Sequence, residues 1–215
     1  MDLAYAKTII TGDLVDSSDM SQPALERAKR VLATAADEIA LLQKAPLHYS
    51  HHRGDGWQIA LTRPEYTLRT MLLFRSVLRS LGESYDSYMA VATSSEASWP
   101  LIAGADLNQI SGPAFKNSGR LLENIKAKTS SAYRWASHGG GQIHATISLA
   151  DGLSFDWTPT QAKDISMLLR TNKNLTYTSL AQTLGKSRQS VKKSLDGARS
   201  DFFIKALTAI EEQVE

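Results

Sequence analysis

The stretch LHYSHHRGDGWQIAL, residues 47–61, decides how the N-terminal half folds. Two extended runs, Leu47 to Arg53 and Trp57 to Leu61, flank Gly54-Asp55-Gly56, and an Asp-Gly turn between such runs marks a β-hairpin. Before the hairpin lies a long amphipathic helix, Ser21 to Lys44. Its apolar positions Leu25, Ala28, Val31, Leu32, Ala35, Ile39 and Leu42 recur at three and four, and Pro23 sits in its first turn. Before that helix, Lys7 to Asp13 reads as a short buried strand ending at Gly-Asp. After the hairpin, Pro64 opens a second helix with Leu68, Met71, Leu72, Val77 and Leu78 inward, and Gly82 closes it. Tyr88 to Ser94 is the next strand. The order is strand-helix-strand-strand-helix-strand, the split βαβ or ferredoxin-like (βαββαβ) arrangement.

Further along, the stretch Glu96 to Gln109 is irregular, and a helix spans about Gly112 to Lys126. Two strands are expected near Ala132 to Trp135 and Gln142 to Leu149. The triple glycine between them, 139–141, reads as a turn. Without a following helix it makes a poor phosphate loop. Asp151 to Asp156 is expected to link a first domain, 1–150, to a second, 157–215. The fold class is therefore α+β, with a small all-α domain at the C-terminus.

The chain has 215 residues, a net charge of +2 and no cysteine. That length supports one large domain or two modest ones with real cores. A disulfide scaffold and thiolate metal sites are excluded. No leader and no bilayer-crossing run are expected, and a cytoplasmic location fits. The charge is uneven. Arg170, Lys173, Lys186, Arg188, Lys192, Lys193 and Arg199 face Asp196 alone, whereas the last stretch, Glu211 to Glu215, is acidic.

That basic block coincides with a motif. Tyr177 to Leu184 forms one short helix, Gly185 the turn and Ser187 to Ala198 a second helix. Leu180, Ala181 and Leu184 point inward from the first, Val191 and Leu195 from the second. Ala181, four before Gly185, lets the helices cross closely, and the glycine accepts a left-handed turn. Ser187 caps the second helix. Its exposed residues, Arg188, Gln189, Ser190, Lys192 and Lys193, are types that pair with base edges and phosphates. Helices from Pro159 to Thr171 and from Asp201 to Gln213 complete a small bundle. The segment resembles the helix-turn-helix of many bacterial regulators, departing at Lys186, where an apolar residue is usual. A three-helix interaction module is the alternative.

In a split βαβ fold the end of the first strand and the turn after the second share one sheet edge. Asp13 and Asp55 meet there, 42 residues apart in sequence. Two bare carboxylates in proximity repel unless a cation lies between them. Mg2+ (or Mn2+) takes one or two carboxylates together with substrate phosphate oxygens. After Asp13 the chain reads Leu14, Val15, Asp16, Ser17, Ser18 and enters a helix, whose free backbone N–H groups can hold phosphate. The combination suits a nucleoside triphosphate. Equally, Asp13 can cap a turn and residues 54–56 can be an ordinary hairpin loop.

The three motifs, residues 12–18, residues 53–58 and Gly112-Pro113-Ala114-Phe115 through Arg120-Leu121, resemble the small bacterial SatD-type proteins. Behind those stands the catalytic domain of class III nucleotide cyclases. The resemblance covers about residues 6–125. It implies two metal ions at Asp13 and Asp55, with the carbonyl of Leu14 as a further ligand. It implies that Arg120, four after Lys116 on one helix face, stabilises charge on the transferred phosphate. Lys116 stands where cyclases carry asparagine. The base-reading positions fall on His51 and Gln109, which are not the residues that read adenine. His51 and His52 also suggest a transition-metal site, but neighbours on a strand point to opposite faces. The resemblance further implies a head-to-tail homodimer, with metal carboxylates from one chain and the arginine from the other.

Three functions follow. The first is a transcriptional regulator that binds DNA through its tail and takes Mg2+ and a nucleotide as effector. The second is an active nucleotidyl cyclase or nucleotidyltransferase. The third is a dimerisation domain with a DNA-binding tail and a dead site. Both aspartates count against the third, and the altered Lys116, His51 and Gln109 positions against a standard cyclase.

Overall fold

The computed structural model describes residues 8–51, 54–93, 107, 110, 112–128, 133–139, 141–171 and 175–212. Its strands are β1 (Thr8–Leu14), β2 (Leu47–His51), β3 (Gly56–Leu61), β4 (Ser87–Thr93) and β5 (Trp135–Ser137). Its helices are α1 (Gln22–Gln43), α2 (Thr67–Arg79), α3 (Pro113–Lys126), α4 (Gln142–Ser154), α5 (Pro159–Leu169), α6 (Tyr177–Leu184), α7 (Arg188–Gly197) and α8 (Ser200–Glu211). The architecture is α+β, with one sheet in the order β2-β3-β1-β4-β5. β5 lies parallel to β4, and the other neighbours are antiparallel.

Strand register sorts the side chains between two faces. Ile10, Leu14, Trp57, Ile59, Leu61, Met89 and Val91 join α1 and α2 in the main core. Ile9, Ala60, Ala92 and Ala90 lie on the opposite face, packed against α3 and the residues just before it. Gly12 is required by that packing. A Cβ there would lie 2.1 Å from the Trp57 indole, a clash no rotamer removes because Trp57 is fully buried.

Helix α1 begins where Ser21 accepts a hydrogen bond from the Ala24 N–H, with proline in the first turn. Helix α2 is buried around its whole circumference, from Thr67 to Leu78. It is clamped by α1 and the sheet on one side and by α5 on the other. Two of its three arginines are satisfied inside. Arg75 is fully buried, 2.7 Å from Asp151 and 3.2 Å from Asp86, and stacks over Trp135. Arg69 grips the Glu211 carboxylate with two N–H donors, at 2.6 and 2.8 Å, and donates to the carbonyls of Leu169 and Thr171.

Two expectations after α3 are overturned. Residues 142–149 are helical. Ile143, Ala145, Ile147 and Leu149 alternate like a strand, but only Ile147 of these is buried, and it joins Ala150, Asp151 and Ser154 in a helical stripe. The tie that selects the helix is polar and distant in sequence. Asp151 accepts the backbone N–H groups of Arg134 and Trp135 at 2.7 and 2.9 Å and pairs with Arg75. For the same reason 151–156 is no linker. Asp151 and Ser154 are fully buried at the end of α4, and Trp157 follows after a two-residue turn. The strand expected near 132–135 lies at Trp135–Ser137, and Ala132 is outside the described residues.

The C-terminal helices share the main core. Thr158 and Gln161 form a reciprocal capping box on α5. The Trp157 indole donates to the Ala198 carbonyl at 3.0 Å and packs edge-on against Phe203. Gly185 takes the left-handed conformation (φ 63°) between α6 and α7, and Ser187 accepts the Ser190 N–H at 3.1 Å.

Candidate functional site

Asp13 lies near the end of β1, opposite Gly56 of β3 and Tyr88 of β4. Its side chain falls on the α3 face, in step with Thr11 and Ile9. Asp55 occupies the adjoining hairpin turn, and its carbonyl accepts the Leu14 N–H. The Ser17 hydroxyl donates a hydrogen bond to the Asp55 carboxylate. Register and turn thus bring the two carboxylates to one rim. The negative charge of Asp55 reaches Asp13.

A group that the motifs did not point to completes this rim. Lys126, in the last turn of α3, places its ammonium 2.7 Å from Asp13 Oδ2. Burial raises the Asp13 pKa most, the lysine hydrogen bond opposes it, and the Asp55 charge adds to the rise. Burial works against the Lys126 charge, but Asp13, Glu123 and Asp55 together outweigh it and raise the lysine's pKa. The signal for Lys126 lay in the spacing of α3. Ser118, Leu122 and Ile125 face the sheet, and Lys126 continues that stripe.

The loop after β1 is partly committed. The Val15 N–H donates to the Asp86 carbonyl at 3.0 Å, so it is not free for a phosphate. Leu14 buries its side chain. Asp16 adopts a left-handed conformation and Ser17–Asp19 form one short 3-10 turn, rather than running directly into α1. Asp16 and Ser18 are exposed.

The remaining candidates do not converge on the rim within one chain. Lys116 and Arg120 are exposed on the outer side of α3, beside Phe115, Gly119, Glu123 and Asn124. The helix turns Ser118 inward instead, 2.8 Å from Thr11. His51 stands opposite Trp57, on the α1/α2 face, away from Asp13. Its ring meets Tyr49 edge-on at 5.0 Å. Burial and then Lys29 lower its pKa. Gln109 and His52 lie outside the described residues.

Among the described residues no group of three or more His, Asp or Glu side chains is gathered for a metal. The rim offers two carboxylates and a bound ammonium. This donor set fits a hard cation that keeps water or phosphate oxygens as its other ligands, and does not fit a transition-metal cage.

On α7, Val191 and Leu195 are buried, while Arg188, Gln189, Ser190, Lys192 and Lys193 are exposed. Lys192 pairs with Asp196 at 2.5 Å, one turn on. Lys186 is explained by its partner. Its ammonium lies 2.5 Å from the buried carboxylate of Asp164, so a charge at that turn is spent inside the fold.

No helix of the described residues is long and apolar enough to cross a membrane. Compared with protein-family models and with curated proteins, the chain matches none.

Proposed function

We propose that this protein is a DNA-binding transcriptional regulator of the cytoplasm, whose α+β part takes Mg2+ (or Mn2+) and a nucleotide as effector. One observation carries the reading. Helix α7 buries Val191 and Leu195 and turns Arg188, Gln189, Ser190, Lys192 and Lys193 outward, directly after a left-handed glycine turn. A helix-turn-helix presents its second helix to the major groove in this way. The strand order β2-β3-β1-β4 agrees with a ferredoxin-like core and with the SatD and cyclase resemblance.

The test is a gel shift over a salt series. Affinity is expected to fall steeply with salt, because phosphate contacts release counterions. Lys192→Ala with Lys193→Ala is expected to weaken binding across sequences and flatten the salt slope by about one for each phosphate no longer neutralised. Binding that ignores salt, or that the double variant leaves untouched, sinks the reading.

A second reading, a nucleotidyl cyclase or nucleotidyltransferase, draws on the shared rim of Asp13 and Asp55. Lys116 and Arg120 face outward, so such a site would need them from a second copy, as in a head-to-tail homodimer. Incubating labelled nucleoside triphosphates with Mg2+ or Mn2+ separates the two. A product that disappears in Asp13→Ala favours the enzyme.

A further inference from the structure

A cleft of about 290 Å³ lies where α5, α6 and α8 meet over α2. Its walls sort by chemistry. Leu168, Leu175 and Ile204, each partly buried against the core, form an apolar side. Arg69 also lines the cleft. It is 5% exposed, its charge is answered by Glu211, and it donates to the Leu169 and Thr171 carbonyls. That guanidinium is fixed in place. Asp201 and Lys205 differ from it. They stand one turn apart on α8, line the cleft together and are exposed. Among the described residues neither side chain has an ion-pair or hydrogen-bond partner, although (i, i+4) spacing brings opposite charges within reach of each other. A negative and a positive head thus stand unanswered beside one apolar wall.

We propose that this cleft binds a free α-amino acid with an aliphatic side chain. The ligand's ammonium meets Asp201, its carboxylate meets Lys205, and its side chain lies on Leu168, Leu175 and Ile204. The two charges select the class. A simple anion brings its charge toward Asp201, and a simple cation toward Lys205, each against a like charge. A zwitterion answers both heads at once. Size points the same way. Ligand pockets run from about 300 to 1,000 Å³, and 290 Å³ lies at the lower end of that range. It suits a molecule of amino-acid size and is too small for a nucleoside triphosphate. The site therefore stands apart from the aspartate rim and does not rest on the reading of that rim. Its occupant touches α5, α6 and α8 together, and α6 is the helix that leads into the Gly185 turn.

Isothermal titration calorimetry of the full chain with L-leucine tests this. Glycine, 4-methylpentanoate and 3-methylbutylamine serve beside it, lacking in turn the aliphatic chain, the ammonium and the carboxylate. L-Leucine is expected to bind saturably, and each analogue at least about fivefold more weakly, the scale of one partly screened charged contact. Lys205→Met and Asp201→Asn are each expected to weaken leucine binding by about the same factor. Thr208→Trp leaves both charges in place and fills the cleft, and it is expected to abolish binding. All three positions are exposed, so these substitutions leave the core intact, and melting curves without ligand confirm folding. Saturating L-leucine is expected to raise the melting temperature of wild type but not that of Thr208→Trp, as mass action requires of a native-state ligand. Equal binding of leucine and 4-methylpentanoate overturns the zwitterion. Leucine binding that all three variants leave unchanged overturns the cleft as its site. Absence of saturable binding by L-leucine, L-isoleucine, L-valine and L-methionine at millimolar concentration overturns the proposal outright.

Discussion

The aspartate rim and the outer face of α7 hold their charges in opposite ways. At the rim, both aspartates have partners within the chain. Asp13 meets Lys126, and Asp55 meets Ser17. The adjoining loop is tied through Val15 to the Asp86 carbonyl, and the Asp86 carboxylate pairs with the buried Arg75. On α7 the cations stand in water. Arg188 and Lys193 are exposed, and among the described residues Lys192 pairs with Asp196. A charge spent on a partner inside the fold sets a shape, whereas a charge left in solvent is available to a ligand. On the proposed DNA-binding reading, a ligand at α7 adds a partner without displacing one.

The largest effect should come from cutting the wiring behind the rim. Arg75→Met leaves Asp86 and Asp151 without the guanidinium that answers both. Breaking a buried pair by removing one partner costs about 3–5 kcal/mol, a large share of the roughly 5–15 kcal/mol that holds a typical domain together. The urea midpoint should fall sharply with an unchanged slope. A midpoint near wild type would mean that the two carboxylates are not held by Arg75.

A smaller effect sharpens the contrast from the other side. Lys186 lies at the turn before α7 and, by position alone, belongs with the exposed cations of that helix. Its ammonium is spent on Asp164, whose Oδ2 has no hydrogen-bond partner. Lys186→Met therefore leaves a buried carboxylate short of its donor, at a cost of about 1–3 kcal/mol. On the proposed DNA-binding reading, the salt slope of the folded variant should stay as it is in wild type. A flattened slope with intact stability would move Lys186 to the nucleic-acid face.

The parts legible in the sequence were those set by local periodicity and punctuation. The hairpin followed from Gly54-Asp55-Gly56, α1 from its spacing and Pro23, and the α6–α7 turn from Gly185. The parts that were not legible depend on partners far along the chain. Arg69 and Arg75 are examples, because nothing near them in sequence announces Glu211, Asp86 or Asp151 as partners. Helix α4 alternates apolar residues like a strand, and only its tie to Arg75 and to the Trp135 backbone decides otherwise. At the candidate site, topology brought Asp13 and Asp55 together as the strand order implied. Lys126 escaped because a lysine in a last turn reads as a solvated C-terminal charge. His51 was expected at the pocket from its distance to the hairpin glycine, yet strand parity puts it behind the sheet.

That last placement has a titration signature, the smallest of these effects. A histidine beside Asp13 and Asp55 would feel two carboxylates, and its pKa would rise. On the α1/α2 face, His51 loses hydration against the helices and feels Lys29, and its pKa falls, with Glu26 opposing only in part. An NMR titration of the imidazole should therefore give His51 a pKa below that of an unperturbed histidine. The stability consequence has a definite sign. Between the lowered folded value and the ordinary value the unfolded chain binds the proton and the folded chain does not. The contribution of His51 is then fully present above the ordinary histidine range and is lost as pH falls through the folded value. His51→Asn should remove that slope from the urea midpoint. A raised His51 pKa, or a slope of the opposite sign, would return the ring to the aspartates' side of the sheet and reopen its role at the rim.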